Sequence, residues 1–145
     1  MYEAIGRATV AAAGLEAMLA HTVCVFLDED EDAYADMLST TGAARRAWLA
    51  ALPKMRLGED DPAGLDQLAS AVENLLDSRH RIAHSVAMHN LDTGEQEWWH
   101  PRSDTLEAWA LGRIREVAQD LGIATARLVK LGHEIAARRE AAEGS

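Results

Sequence analysis

The 145-residue chain has little of what would staple or stiffen a fold. Cys24 is its only cysteine, which excludes an internal disulfide framework and any zinc site built from several thiolates, and fits a reducing compartment. Three prolines and 48% hydrophobic residues separate the composition from disordered and collagen-like chains and suffice for one core. The length suits a single domain, residues 1–145, without room for a second core. Glu16, His21 and Asp28 interrupt the longest apolar stretches, so no window approaches the roughly 20 uninterrupted apolar residues of a membrane span. No basic region precedes an apolar run as in a signal peptide. The expectation is a soluble, cytoplasmic protein. A glycine-rich phosphate loop, a nucleophile elbow and zinc-finger spacing are all missing, which removes Walker-type nucleotide hydrolysis.

Charge is present but lopsided. Fourteen Lys/Arg against 24 Asp/Glu give a net charge of −10, which argues against gripping nucleic acid by bulk electrostatics. Residues 1–78 carry five basic and fourteen acidic side chains, a balance of −9, whereas residues 79–145 carry nine and ten, a balance of −1. Asp28, Glu29, Asp30, Glu31, Asp32 and Asp36 supply much of the acidity and read as a solvated turn entering a helix. That run lacks the glycine and closing glutamate of an EF-hand loop.

The periodicity is helical nearly throughout. Ile5, Leu15, Leu19, Val23 and Phe26 predict a helix over Tyr2–Leu27, and Ala33–Leu38 continues in helical phase until Ser39-Thr40-Thr41-Gly42. A third helix is expected over about 43–55, with Pro53 as a kink or early end. After a loop over 57–64, a helix starting near Pro62 carries Leu65, Leu68, Ala69, Val72, Leu75, Leu76, Ile82 and Ala83 on one stripe. Residues 86–100 switch to two short strand patterns around Asn90-Leu91-Asp92-Thr93-Gly94. Asp104 and Glu107 have capping-box spacing for a long last helix reaching about Arg139. The fold class expected is all-α, an up-and-down bundle of four to five helices with a small β-hairpin at about 86–100.

Chemistry concentrates in Asp77-Ser78-Arg79-His80-Arg81-Ile82-Ala83-His84, at the end of the clearest core-facing helix. On ordinary grounds Asp77 and Arg81 form an i,i+4 ion pair, the helix dipole favours a cationic residue at His84, and Arg79 lies on the surface. His80 and His84 also share a helical face and could hold a metal ion with His89 or His100, although the glutamate of a His-Glu-x-x-His site is missing. His21 and His133 stand alone, and Cys24 reads as a small buried hydrophobe. Trp98 and Trp99 offer stacking surface for bases or packing surface for a core.

Arg79-His80-Arg81-Ile82-Ala83-His84 resembles the Arg-x4-6-His signature of the HEPN superfamily, in which a polar residue, here His80, follows the arginine. The helical pattern, with the motif at the end of the penultimate main helix, is similar as well. The resemblance implies a HEPN-like domain acting as a metal-independent endoribonuclease without a cofactor, in a homodimer whose paired motifs line one cleft. It implies His84 as general acid/base, Arg79 as stabiliser of the phosphorane-like state and His80 as an aid in orientation or proton sharing. RNA would be cut to a 2′,3′-cyclic phosphate and a 5′-hydroxyl. Arg81, Trp98, Trp99 and Arg102 are the candidate RNA contacts. The same resemblance implies a toxin or defence effector with a minimal nucleotidyltransferase as antitoxin partner; the acidic first half is the argument for a non-catalytic binding module instead. In an uninterrupted helix, Arg79 and His84 stand about 140° apart, so they converge only if the helix ends near His84 or a partner completes the site.

Overall fold

A computed structural model of the protein describes residues 2–56, 64–84, 86–89, 91–94, 96–100, 105–107 and 111–145. The first helix, α1 (Tyr2–Leu27), forms where apolar side chains recur every three or four residues, and Ala4, Ala8, Ala12, Leu15, Leu19 and Val23 are the ones it buries. By length and composition alone α1 is apolar enough to cross a membrane, because Glu16 and His21 interrupt it without lowering its average enough; a buried core helix meets the same criterion. Asp28, at φ 58°, ends the helix, and the Glu29 amide donates back to the Cys24 carbonyl at 2.9 Å.

The acidic run then does local work. Asp30 is the N-cap of α2 (Glu31–Ser39), accepting from the Ala33 amide at 3.0 Å, and Glu31 and Asp32 sit in the first turn, where negative charge is favoured. Gly42, at φ 76°, makes the turn into α3 (Ala43–Arg56). That helix runs past Pro53 instead of ending at it. Proline removes the bond to the carbonyl four residues back and crowds that carbonyl, and here it belongs to Leu49, an exposed residue on the solvent side of the helix, where a bend can be accommodated.

Gly64, at φ 104°, accepts from the Leu68 amide at 2.8 Å and opens α4 (Leu65–His84), so the regular helix begins three residues after the Pro62 start read from sequence. Pro62 and most of the expected loop lie outside the described residues. β1 (Val86–His89) pairs antiparallel with β2 (Gln96–His100), Val86 opposite Trp99 and His89 opposite Gln96. β3 (Thr105–Glu107) pairs antiparallel with β2, setting Trp98 against Glu107 and His100 against Thr105. This corrects the capping-box expectation: Glu107 lies in a strand, and the last helix, α5 (Leu111–Glu143), starts at Leu111.

The five helices form a bundle with α1 at its centre, packed chiefly on α5 and also on α3, α4 and α2. Its core joins the α1 stripe to Trp48 and Leu52 of α3, Leu68, Val72 and Leu76 of α4, and Ile114, Leu121 and Leu128 of α5. Trp48 is fully buried, and its Nε1 has no acceptor among the described residues. Trp48→Ala should therefore cost about 3–5 kcal/mol of stability. Trp48→Phe should cost clearly less, because its ring still fills most of the space that Ala would leave empty, while both substitutions remove the buried unpaired donor. Urea denaturation measures both, and equal losses would contradict this account of the core.

Candidate functional site

The α4 stripe explains why the motif sits where it does. Leu65, Leu68, Ala69, Val72 and Leu76 are buried at helical spacing, and continuing that face by three and four residues reaches Arg79 and His80, which are half-buried. Ile82 is buried one turn further on, so the end of the helix is held in the core while Arg81, Ala83 and His84 remain exposed.

The structure brings His80 and His84 together. Their ring centroids are 4.4 Å apart with planes tilted by 48°, as the i,i+4 spacing requires. His80 is half-buried and fixes the inner side of the pair; His84 is exposed on the outer side. α4 runs unbroken through both Arg79 and His84, so the two stay about 140° apart around its axis and are not brought together within one chain. Arg79 makes no hydrogen bond or ion pair among the described residues, and its Nε is buried without an acceptor. An arginine stem lying along apolar surface with its head toward solvent produces this arrangement. It leaves the guanidinium uncommitted among the described residues. Arg81 is exposed and engaged in an interaction.

The other expected RNA contacts are less defined. Trp98 and Trp99 lie in β2 at registers opposite Ala87 and Val86, but their side chains and all of Arg102 lie outside the described residues. His89 and His100 likewise have strand positions only. Among the described residues no group of three or more His, Cys, Asp or Glu side chains is placed to hold a metal ion.

Sequence reasoning missed the brace beneath the motif. Arg45 on α3 donates from Nε to both Glu73 carboxylate oxygens at 3.1 Å, pairs again with Glu73 through Nη2, and reaches Asp77 at 3.0 Å. Hydrogen bonding to Glu73 is the main reason its guanidinium holds its proton more tightly than usual, so the bridge keeps its cation at every accessible pH. The partners are 28 and 32 residues apart, and no local pattern announces them.

A second concavity, about 750 Å³, opens beside the acidic turn between α1, α2 and the end of α5. His21 meets Tyr34 edge-on there at 6.4 Å, and Arg139 ties the end of α1 by donating to Asp28 at 3.1 Å and to the Phe26 carbonyl at 2.9 Å. Cys24 is buried at its base; burial, then the charges of Glu29 and Asp30, push its thiol pKa up, so it fits the inert reading.

No family model, curated protein or solved structure matches this chain.

Replacing Arg45 tests the brace. Arg45→Met leaves two carboxylates one turn apart without their cation and should lower stability by about 1 kcal/mol at low salt, the figure being small because all three groups are partly solvated. The loss should shrink in 1 M NaCl; a loss independent of salt, measured by chemical denaturation, would contradict an electrostatic role.

Proposed function

We propose that the chain is a metal-independent endoribonuclease of the HEPN type, acting as a homodimer in the cytoplasm. One observation carries the reading: an exposed imidazole, His84, in ring contact with a half-buried one, His80, at a helix end, where Arg79, next to His80 in sequence, has no partner among the described residues. A cleavage needing no metal asks for these groups. An imidazole takes the proton of a ribose 2′-hydroxyl, and a guanidinium offsets the charge gathering on the attacked phosphate. In this mechanism His84 is the base, His80 holds its ring orientation, and Arg79 swings its solvent-side nitrogens onto the phosphate. The 2′-oxygen attacks phosphorus as its proton passes to His84, the bond from phosphorus to the 5′-oxygen breaks, that oxygen takes a proton from the His80–His84 pair, and a 2′,3′-cyclic phosphate remains. DNA lacks the nucleophile and survives. Arg81, Trp98, Trp99 and Arg102 are the RNA contacts of this proposal. Such an activity suits a toxin restrained by an antitoxin of the minimal nucleotidyltransferase type.

A second reading has its own observation. Residues 1–78 hold a balance of −9, and the acidic turn borders the second concavity with Glu29, Asp30 and Glu31. A non-catalytic module would use that face to dock a basic protein partner, and the motif would only brace the helix end.

RNA digestion in EDTA separates the two. Wild type should cleave, and His84→Ala and Arg79→Ala should each lower turnover by about 10²–10⁴. Cleavage that persists in both variants removes the mechanism, and a wild type inactive on a broad RNA panel favours the docking module.

A further inference from the structure

The outer face of α5 carries a charge pattern that the fold leaves unused. Arg113, Asp120, Arg127 and Glu134 recur every seven residues, so they line one stripe with alternating sign. Glu116, Ile123 and Lys130 recur every seven between them and complete a three-four spacing. All are exposed except Glu134, which is half-buried, and Ile123 keeps 53% of its surface in solvent. Arg113 pairs with Glu116 within the helix at 3.1 Å, while Asp120, Arg127, Lys130 and Glu134 form no ion pair among the described residues.

The stripe borders a furrow between α4 and α5. Its central part, about 330 Å³, has Ala71, Leu75, Ile123 and Ala124 as an apolar floor and Asp120 and Arg127 among its rim. The pattern itself says what covers it. Laid antiparallel on a copy of itself, with the two-fold axis between Ile123 and Ala124, α5 sets Asp120 against Arg127, Arg113 against Glu134 and Glu116 close to Lys130, each pair occurring twice. Sliding by one heptad either way opposes Asp120 with Glu134 or Arg113 with Arg127. A parallel arrangement opposes every charge with itself. Only one in-phase register satisfies the whole stripe.

We infer that this chain dimerises through α5, antiparallel about Ile123, with the partner's Ile123 seated on the floor made by Ala71, Leu75 and Ala124. Exposed ion pairs add little affinity, so the isoleucine contact supplies the adhesion and the charges choose the register. The inference rests on the homodimer of the ribonuclease reading but not on its chemistry. It also positions the two motifs. Leu65 and Leu68 share a concavity with Lys130 and Glu134, and Asn74 and Ser78 share one with Arg113 and Asp120, so α4 runs antiparallel to α5 and its motif lies toward the Arg113 end. At 1.5 Å per residue that end is roughly 15 Å along α5 from the axis, and the motif, which follows Ser78 on α4, lies at or beyond it.

Sedimentation of the full chain tests this. Wild type should run at twice its chain mass, and Asp120→Arg or Arg127→Asp alone, each placing like charges across the axis, should weaken dimerisation at least tenfold. An equimolar mixture of the two variants should recover the dimer, as should the doubly substituted chain. Both positions are exposed, and circular dichroism checks that the single variants stay folded. A monomeric wild type, a dimer indifferent to both substitutions, or no recovery on mixing overturns the inference. RNA cleavage read on the same samples is judged separately: a wild type that dimerises as described and cuts nothing defeats the ribonuclease reading and leaves the interface standing.

Discussion

The seam between α1 and α5 sets the frame on which everything else is placed. α1 buries alanines at positions 4, 8 and 12 before its larger side chains begin at Leu15, so α5 can approach closely along the first half of the seam. Near the other end Gly132 of α5 faces the Thr22 hydroxyl, which a Cβ would meet at 3.9 Å, an ordinary contact distance. Thr22 itself is fully buried and satisfied by donating to the Met18 carbonyl at 2.8 Å. With the two long helices locked, α3 supplies Trp48 from one side and α4 lays its stripe on from another. The position of the motif follows from that last contact, because the stripe leads directly to it.

The resulting arrangement is an economical way to present reactive groups. A helix anchored by Leu76 and Ile82 cannot rotate without exposing apolar surface, so His80 and His84 inherit the rigidity of the core although His84 is exposed. The Arg45 brace adds a polar tie from α3 one turn upstream. The chain as a whole is strongly acidic, yet Arg79 and Arg81 put local positive charge beside the histidines. A substrate anion would be drawn to that end over distances shorter than the Debye length and repelled by the remainder.

Much of this was legible in the sequence where local rules decide. The alanine-leucine stripe bounded α1 at Tyr2 and Leu27, the Ser39–Gly42 turn separated α2 from α3, and the apolar period marked the core face of α4. The failures share a cause, which is that tertiary pairing overrides a local signal. Asp104 and Glu107 have the spacing of a helix start, but Thr105–Glu107 finds an open edge on β2, and the strand it forms delays α5 to Leu111. Pro53 reads as a stop only if the carbonyl it orphans is dry. The histidine pair was readable from its i,i+4 spacing; the buried Nε of Arg79 and the Arg45 bridge were not, since both depend on where distant helices come to rest.

The central claim is chemical: His84 and Arg79 at the end of α4 cleave RNA through its own 2′-hydroxyl. Mass spectrometry of the ends left on a defined oligoribonucleotide addresses it most directly. The account predicts a 2′,3′-cyclic phosphate on one fragment, a 5′-hydroxyl on the other, and no cut at a position where a single 2′-deoxyribose replaces the ribose. Ends carrying a 3′-hydroxyl and a 5′-phosphate, or cleavage at the deoxy position, would contradict it.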